Sequence, residues 1–347
     1  MKKIVIHSPG SYEKLKLEEA SDLIPENDEI VVETKAFGVN YADCCVRWGV
    51  YESAKKFIGW PITPGFEFSG YVKKVGPSVQ KFKVGDKVFG ITLFNAYATE
   101  VKVREKHLYR LPTTFSFEEA AAFPAVFMTA YHALFQIIRL PEKANILVHS
   151  AGGGVGSAIL QLARAKNLKA VGVVGSSHKR DYVKSLGVIE VIDKSKEDLW
   201  QKAGEFCPQG YDAVLDANGP STLRESYNQL RPTGKLIVYG AHSMLPQSKS
   251  GRMNYLKAGW GLLKMPRFNP MNLVTENKSL IGFNLSFLFE RDDLVIEGMN
   301  ELLRLIEENK ITAPRVTSFA MKDVAKAHEL IESGQSTGKI VISVTLS

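Results

Sequence analysis

Cysteine is scarce in this 347-residue chain, which contains only Cys44, Cys45 and Cys207. Three thiols can form neither a disulfide framework nor a four-thiolate zinc site, and the adjacent pair would form only a strained disulfide. Such a cysteine content is typical of the reducing cytoplasm. Residues 1–10 hold two lysines, a short apolar run and a turn, without the long apolar core of an export signal. We therefore expect a cytoplasmic protein.

Long uncharged runs are also scarce. The longest covers residues 120–138, but Pro124, Thr129 and His132 lie within it, so we predict a buried helix rather than a membrane span. Acidic residues are absent from residues 226–275, which carry seven basic residues, as many as the net charge of +7. This modest excess suits phosphate-bearing ligands, and no aromatic-rich motif for single-stranded RNA is present. We predict no specific nucleic-acid partner.

The chain has enough apolar residues to fold into more than one compact unit. With 45% hydrophobic and 23% charged residues, it is neither disordered nor collagen-like. Its length predicts two domains at about 150 residues each. The first roughly 110 residues contain short alternating runs separated by Gly and Pro, which favours a twisted antiparallel barrel.

After Pro112, apolar runs alternate with helix-length segments, and Ser116 opens the first of these helices. Such alternation predicts a parallel, doubly wound sheet, so the fold class is α/β. The predicted strands are 146–149, 170–174, 188–192, 213–215 and 235–239, with a further strand at 280–284. The tail is predicted to contain helices at 294–308 and 324–333 and a closing strand at 338–344.

A glycine-rich turn follows the first of these strands and precedes an amphipathic helix. Residues 151–156 fit the spacing G-x-G-x-x-G, with Ala151 in the first position. The missing side chain at Gly153 lets a pyrophosphate approach the backbone, and Gly156 lets the helix pack on the strand. The alternative is a tight structural turn. The residues that we predict to bind the dinucleotide here are Ala151, Gly153, Gly154, Val155 and Gly156.

The end of the next predicted strand indicates which dinucleotide binds. An NAD enzyme places an acidic residue there on the ribose hydroxyls, whereas residues 173–180 contain none. Instead, this strand end offers space, hydroxyl groups and positive charge to a 2′-phosphate. The residues that supply them are Gly175, Ser176, Ser177, Lys179 and Arg180. We therefore predict NADP(H) as the cofactor, the alternative being that these polar residues are solvated at the start of a helix.

Several separate motifs resemble those of one family. They are Gly38–Asp43, Pro64–Gly70, Val84–Val88 and Glu118–Ala122. Together with the barrel-like first part and the glycine-rich turn, they make the chain similar to the medium-chain dehydrogenase/reductases, in the zinc-free quinone oxidoreductase (ζ-crystallin-like) branch. The stretch from Tyr239 to Ser286 resembles the VAT-1 (vesicle amine transport protein) homologues still more closely.

This resemblance implies a two-domain architecture. Residues 1–122 and 288–347 would form a GroES-like catalytic domain built on a partly open β-barrel. Residues 123–287 would form a doubly wound Rossmann domain that binds NADP(H). The resemblance also implies a homodimer through the edge of the cofactor sheet, where the predicted strand 280–284 offers unpaired backbone groups.

The zinc-dependent members of the family bind a catalytic zinc ion through Cys and His side chains, which this chain lacks at the matching positions. Asn40 stands where the first Cys would be, and Phe66 where the His would be. Ala125 or Val126 lies near the third ligand position. None of these can replace a soft ligand, so we expect no metal. The chemistry implied is hydride delivery to an acceptor that carries its own electrophilicity.

The resemblance also implies which side chains act on the substrate. Asn40 and Tyr51 would line the substrate pocket, and Thr129 would lie beside the nicotinamide or its ribose. A neutral amide and a neutral phenol can donate hydrogen bonds to a developing oxyanion. The alternatives are a turn residue for Asn40, a surface aromatic for Tyr51 and a hydroxyl bonded to its own helix for Thr129.

Four further positions are implied to contact the cofactor. Tyr239, Gly240 and Phe283 correspond to the backbone that holds the nicotinamide amide. Lys194 stands where quinone reductases of this type often have a Tyr at the adenosine phosphate, so that a charge replaces a ring.

The function implied is NADPH-dependent reduction of a quinone, and an enone or alkenal reductase shares every motif. An alternative of another class is a non-catalytic, cofactor-bound protein that associates with RNA or vesicles. The basic stretch 249–268 interleaves cations with aromatic and aliphatic residues. Such a segment could attach weakly to an anionic membrane, the alternative being a helical cover over the cleft with its cations in solvent.

Overall fold

The structure is a computed structural model that describes residues 1–244, 251–252 and 254–344. Within this part of the chain, the strands form a two-stranded ribbon, a seven-stranded sheet and a six-stranded sheet. No helix of the described residues is long and apolar enough to cross a membrane.

The seven-stranded sheet combines amino-terminal strands with two strands from the tail. The ribbon and this sheet consist of β1 (Lys2–Val5), β2 (Lys16–Glu19), β3 (Glu29–Val39), β4 (Glu67–Val75), β5 (Lys87–Ile91), β6 (Glu100–Arg104), β7 (Leu108–Arg110), β14 (Val316–Ala320) and β15 (Lys339–Ser343). β3 pairs with β15, β4 and β6, and register shifts interrupt its pairing with β4. Such shifts bend a strand and increase its twist, so the sheet curls into the partly open barrel that the sequence predicts.

The six-stranded sheet is parallel throughout. It consists of β8 (Asn145–Val148), β9 (Lys169–Val174), β10 (Glu190–Asp193), β11 (Tyr211–Asp216), β12 (Leu230–Val238) and β13 (Ser279–Gly282). Each predicted strand overlaps one of these, which confirms the doubly wound α/β fold. The order β10-β9-β8-β11-β12-β13 places a switch point between β8 and β11, where ligands of such folds bind at the carboxyl ends of the strands.

The helices are α1 (Tyr41–Trp48), α2 (Glu52–Phe57), α3 (Phe117–Ala121), α4 (Pro124–Tyr131), α5 (Gly154–Ala165), α6 (Arg180–Ser185), α7 (Leu199–Phe206), α8 (Leu223–Asn228), α9 (Tyr255–Leu263), α10 (Pro270–Glu276), α11 (Leu285–Leu288), α12 (Asp292–Glu307) and α13 (Val324–Glu332). Ser116 begins α3 through a capping box with Glu119, as predicted. The single helix predicted over 120–138 is wrong, because the segment contains the end of α3, then α4, then a π-helical turn at His132–Gln136. Pro124 has no N–H to continue α3, and it lies in the first turn of α4.

The two sheets share part of one apolar core. Phe89 of β5 and Phe123, which precedes α4, belong to the same buried cluster as Ile159 of α5 and Leu302 of α12. The rings of Phe123 and Phe127 stack at 4.1 Å. Side-chain packing therefore defines how the two sheets lie against each other. The boundaries predicted above, 1–122 with 288–347 against 123–287, remain a prediction.

Candidate functional site

The predicted phosphate-binding turn lies between β8 and α5, beside the switch point of the parallel sheet. Gly153 is the N-cap of α5. A Cβ on Gly156 would lie 2.4 Å from the carbonyl oxygen of Ser150, so a glycine is needed for the helix to pack this closely on the turn. The first N–H groups of α5, those of Gly154 and Val155 among them, have no intrahelical acceptor. This is the backbone arrangement that binds an anion.

The same turn is fixed to both sheets. Ala151 is buried, and its N–H donates to the carbonyl of Val173 on β9 at 2.9 Å. Gly338, just before β15, donates its N–H to the carbonyl of Gly152 at 2.8 Å, and it forms a parallel bridge with Gly153. The start of β15, in the seven-stranded sheet, therefore lies directly beside the turn.

Two lysines and a glycine form a positively charged corner beyond the ends of β9 and β10. Burial, together with the nearby charge of Lys194, lowers the pKa of Lys179. A Cβ on Gly175 would lie 3.6 Å from Cε of Lys194, so a larger side chain would fill the space beside this lysine. The Lys179 ammonium donates to the carbonyl of Gly334 at 2.6 Å. The structure thus brings together three of the residues that the sequence assigns to the 2′-phosphate end.

Two of the other residues assigned to this end have side-chain partners of their own. The Ser177 hydroxyl donates to Asp193 at 2.5 Å, and Arg180 forms an ion pair with Glu197 at 2.8 Å, while Ser176 is half-buried. Sequence reasoning missed Asp193, which ends β10 and is buried. Burial opposes its charge, but hydrogen bonds from two serines and the nearby Arg180 lower its pKa. The signal that could have identified it is an acidic residue at the end of β10. This strand follows β9, whose end indicates which dinucleotide binds.

Two buried polar groups at this edge of the sheet have no hydrogen-bond partner among the described residues. They are the amide nitrogen of Asn218, after β11, and the hydroxyl of Tyr239, after β12. The Asn218 side-chain oxygen accepts from the Ser150 hydroxyl at 3.1 Å, beside the phosphate-binding turn. Unpaired buried donors cost free energy unless a ligand supplies an acceptor. A dinucleotide bound along the carboxyl ends of these strands would offer acceptors to both groups. Asn218 is a further residue that the sequence analysis missed.

The predicted nicotinamide end lies after β12 and β13. The rings of Tyr239 and Phe283 stack with centroids 6.4 Å apart. The Phe283 N–H donates to the carbonyl of Val238 at 3.2 Å, so its carbonyl is the backbone group left for a ligand amide. A Cβ on Gly240 would lie 2.6 Å from the carbonyl oxygen of Ala217, which requires glycine for this close backbone approach.

Asn40 lies in a buried polar cluster at the start of α1. Its side-chain nitrogen donates to Glu67 at 2.9 Å, and its side-chain oxygen accepts from the Lys339 ammonium at 2.9 Å. Lys339 and Glu67 form an ion pair of 2.7 Å with 3% and 0% of their side chains exposed. Lys339 also donates to the carbonyl of Val39 at 2.6 Å, and Glu67 accepts the N–H of Ala125, in the first turn of α4, at 2.8 Å.

This cluster gives the Asn40 carboxamide a single orientation. The carboxylate of Glu67 accepts only from N–H, and the ammonium of Lys339 donates only to oxygen, so a flipped amide would lose both hydrogen bonds. One of the two amide N–H groups donates to Glu67, and the second donates to no described group. Asn40 is half-buried and therefore retains one directed donor for a ligand.

Tyr51 joins the two domains. Its hydroxyl donates to the Asn284 side-chain oxygen at 3.0 Å and lies 2.8 Å from the Ser286 hydroxyl, both of which follow β13. Its ring meets Phe66 edge-on at 6.0 Å, and it is half-buried rather than a loose surface aromatic. Burial raises the pKa of Tyr51 to about 12, so the phenol keeps its proton at neutral pH.

Thr129 uses its hydroxyl proton within its own helix. Its Oγ1 donates to the carbonyl of Ala125 at 2.7 Å, which is the alternative considered for this residue. A hydroxyl has one proton and two lone pairs, so Thr129 can still accept a hydrogen bond but is no donor to a substrate in this geometry. Because Ala125 also donates its N–H to Glu67, the Asn40 cluster and the Thr129 helix are directly connected.

A chain of buried polar groups extends from Asn40 into the barrel. Asp43 accepts the N–H of Asn40 at 2.8 Å and the hydroxyl of Tyr97 at 3.1 Å. Tyr97 therefore accepts from Nε2 of His328 at 3.2 Å, which leaves the Nδ1 lone pair towards the Cys44 thiol at 3.4 Å. Burial raises the pKa of Asp43 to about 7 despite these donors.

Cys44 and His328 also belong to a group of potential metal ligands with Glu332, whose ligand atoms all lie within 4.8 Å of one another. The guanidinium of Arg47 already forms a buried ion pair with Glu332. Burial raises the pKa of the Cys44 thiol, which disfavours the thiolate that a metal would need. Cys44 and His328 therefore form a neutral hydrogen-bonded pair beside the buried ion pair of Arg47 and Glu332.

The positions that match catalytic zinc ligands do not fit that metal. The Asn40 amide is committed to Glu67 and Lys339. Phe66 and Ala125, both buried, have no ligand atom in their side chains. We derive no step through zinc.

Comparison with known proteins agrees with this architecture. The alcohol dehydrogenase GroES-like domain model matches residues 26–132, and the zinc-binding dehydrogenase model matches residues 186–342. The synaptic vesicle membrane protein VAT-1 homolog-like of Mus musculus is 33% identical over 99% of this chain and 81% of its own length. The crystal structure of the human VAT-1 homolog-like protein, 31% identical, superposes with a TM-score of 0.83 over 100% of this chain and 99% of the other.

A second solved structure is similar over the same extent. The Escherichia coli quinone oxidoreductase complexed with NADPH is 27% identical, with a TM-score of 0.84 over 99% of this chain and 100% of the other. The chain therefore belongs to the medium-chain dehydrogenase/reductase family of oxidoreductases, close to the VAT-1 homologues and the quinone oxidoreductases.

Proposed function

We propose that this protein is an NADPH-dependent oxidoreductase that transfers a hydride to a quinone without a metal. The observation that carries the proposal is the single orientation of the Asn40 carboxamide between Glu67 and Lys339, which leaves one N–H for a substrate oxygen. The similarity to a quinone oxidoreductase that binds NADPH supports the choice of acceptor. A cytoplasmic location, as expected from the sequence, is part of the same proposal.

The cofactor proposed is NADP(H). Its pyrophosphate would lie on the turn that begins α5, and its 2′-phosphate in the corner formed by Gly175, Lys179 and Lys194. Lys179 donates to a backbone carbonyl in the structure, and a phosphate oxygen is a stronger acceptor for the same ammonium. When bound, the reduced nicotinamide supplies the hydride.

The protein's own part in the reaction is to orient the acceptor and stabilise charge on its oxygen. The free N–H of Asn40 donates to the oxygen that gains negative charge as the hydride arrives. Tyr51 is the second donor, exchanging its Asn284 acceptor for the substrate oxygen. Its raised pKa keeps the proton on the phenol, so it acts by hydrogen bonding. Thr129 is assigned an acceptor role toward the nicotinamide end.

Two other functions remain to be separated from this one. An enone or alkenal reductase would use the same donors, since its substrate oxygen also gains negative charge. A non-catalytic, cofactor-bound protein would bind NADPH without turnover. The directed donor on Asn40 favours an enzyme, because a cofactor-binding protein has no need of it.

NADPH consumption by metal-stripped protein tests the proposal, with a panel of ortho- and para-quinones and enones and with NADH measured beside NADPH. We expect turnover with quinones and NADPH, reduced roughly 10²–10³-fold in kcat by Asn40→Ala. Asn228→Ala, at an exposed position on α8, is the control and should not change kcat. A ranking led by enones would favour the alternative reductase. Tight NADPH binding without turnover of any acceptor would refute the enzymatic proposal.

A second role, weak attachment to an anionic membrane, is favoured by α9. Leu256, Leu263 and Trp260 are 88%, 80% and 60% exposed, and the Lys264 ammonium lies 5.3 Å from the Trp260 ring centre. Apolar side chains interleaved with cations are typical of helices that lie at a lipid surface. Within the predicted stretch 249–268, residues 249, 250 and 253 lie outside the described residues. The small-molecule substrate and the anionic membrane would be independent partners of the protein.

A homodimer through the cofactor sheet is also proposed. β13 lies at one edge of the six-stranded sheet, where the 280–284 strand was predicted. An edge strand offers unpaired backbone groups to a second copy across a twofold axis. Sedimentation equilibrium would test it, since a monomeric mass at micromolar concentration contradicts the proposal.

A further inference from the structure

A groove of about 430 Å³ lies between α5 and α6 of the cofactor domain and the start of β14. Arg164 and Tyr182 contribute from the cofactor domain, and Thr312 and Arg315 from the tail of the catalytic domain. Both domains therefore form its walls.

The polar groups in this groove are mostly uncommitted donors. The Tyr182 hydroxyl is buried and has no hydrogen-bond partner among the described residues. The Gln161 side-chain oxygen accepts from the N–H of Thr312 at 2.8 Å and from its hydroxyl at 3.3 Å, which orients the amide nitrogen of Gln161 as a donor without a described acceptor. A buried hydroxyl without an acceptor costs free energy that a ligand would recover.

The charges of the groove are also unbalanced. The Arg315 guanidinium lies 5.9 Å from the ring centre of Tyr182, and Arg164 makes one long hydrogen bond of 3.5 Å to the carbonyl of Lys310. Neither arginine has a carboxylate partner within the described part of the chain. The Glu119 carboxylate at the rim accepts the N–H of Ser116 in the α3 capping box. Two guanidinium groups without a carboxylate partner therefore line the groove together with one carboxylate that already accepts a hydrogen bond.

We propose that this groove is a binding site for a small organic anion, with a phosphate or carboxylate group held by Arg164, Arg315 and the Tyr182 hydroxyl. Arginine is suited to such groups because its planar fork matches their oxygens. Leu186 and Pro314 line the same groove and offer an apolar surface to the body of the ligand. The groove is lined by none of the residues assigned to NADP(H), and a ligand in it would bind both domains at once.

Thermal unfolding of the NADPH-saturated protein tests the site, because saturation removes the cofactor corner as a competing anion site. The probes are inorganic phosphate, phenyl phosphate and benzoate, each against chloride at equal ionic strength. At tenfold excess over Kd, we expect the Tm to rise by roughly 2–4 °C. Comparing phenyl phosphate with benzoate identifies the preferred head group. A larger Tm shift with phenyl phosphate than with inorganic phosphate would support binding of the ligand body to the apolar wall.

Three variants make the test specific. Arg315→Gln should abolish the shift, while Arg139→Gln, which removes one exposed charge elsewhere, should retain it. Tyr182→Phe removes the unpaired hydroxyl, so its Tm without anion should equal or exceed that of the parent protein while the anion-dependent shift is lost. A merely structural tyrosine would instead lower the Tm. Anion shifts that are absent, or that are equal in the parent and all three variants, would overturn the proposal.

Discussion

Replacing Lys339 with methionine should separate the positioning of Asn40 from the stability of the barrel. The variant removes the ammonium that binds Glu67, the carbonyl of Val39 and the Asn40 side-chain oxygen, all in a nearly fully buried setting. Glu67 would then be a buried carboxylate without a cation. Removing one partner of such a pair costs about 3–5 kcal/mol in the free energy of unfolding.

The catalytic effect has a different origin. Lys339→Met leaves the Asn40 donor in place but removes one of the two hydrogen bonds that exclude the flipped amide, the other being the bond to Glu67. Complete loss of an oxyanion donor costs roughly 10²–10³-fold in kcat, so partial loss of orientation should cost roughly 10- to 100-fold. The KM for NADPH should change little, because methionine keeps an apolar stem beside Gly154 at the start of α5, whereas the ammonium itself bonds to Glu67, Val39 and Asn40.

The double variant Lys339→Met with Glu67→Gln distinguishes the two effects. It removes the unpaired charge and should recover most of the stability in urea unfolding, but it should not recover kcat. Lys73→Met, which removes the cation paired with the buried Glu100 elsewhere in the barrel, is the control and should leave kcat unchanged. The reasoning is refuted if Lys339→Met retains full kcat, or if the double variant regains activity together with stability.

Three further outcomes are expected. Lys179→Ala should weaken NADPH binding roughly 10- to 100-fold in calorimetry and leave NADH unchanged, whereas equal losses contradict the 2′-phosphate role. Because burial raises the pKa of Asp43 to about 7, the folded state holds this proton more tightly than the unfolded chain. The free energy of unfolding should therefore fall as the pH rises from about 4 to about 7, and Asp43→Asn should remove up to about 4 kcal/mol of that loss. If urea unfolding gives the same pH dependence for the parent protein and for Asp43→Asn, this role of Asp43 is contradicted. The double variant Leu256→Asp with Leu263→Asp should abolish flotation with anionic vesicles, whereas the control Val84→Asp should not. Flotation that does not depend on salt would exclude a contribution of the basic residues to membrane binding.

The parallel sheet and the phosphate-binding turn could be predicted because their signals are local. A buried parallel strand is a short apolar run, and the turn requires glycine at fixed spacing, as the 2.4 Å approach at Gly156 shows. The break at Pro124 was also present in the sequence, but the apolar content of 120–138 concealed it. Composition alone does not show where one buried helix ends and the next begins.

The network around Asn40 could not be predicted in the same way. Its partners lie 27 and 299 residues away along the chain, and a lysine in a short strand such as β15 would ordinarily face solvent. Asp193 ends a strand and Asn218 follows one, and neither belongs to a motif of its own. Their importance comes from the order of the strands, which brings the ends of β10 and β11 to the same edge as the turn after β8.

The carbonyl of Gly251 accepts hydrogen bonds from Arg47 at 2.6 Å and from the indole of Trp48 at 2.9 Å, both on α1 of the catalytic domain. Further along the same segment, Met265 and Phe268 pack on the apolar core of the cofactor domain. Residues of this segment therefore contact both α1 and the apolar core beside the six-stranded sheet. We expect entry and release of a bulky acceptor to require these two hydrogen bonds to break, so Trp48→Phe should raise the rate of product release and leave the rate of hydride transfer unchanged.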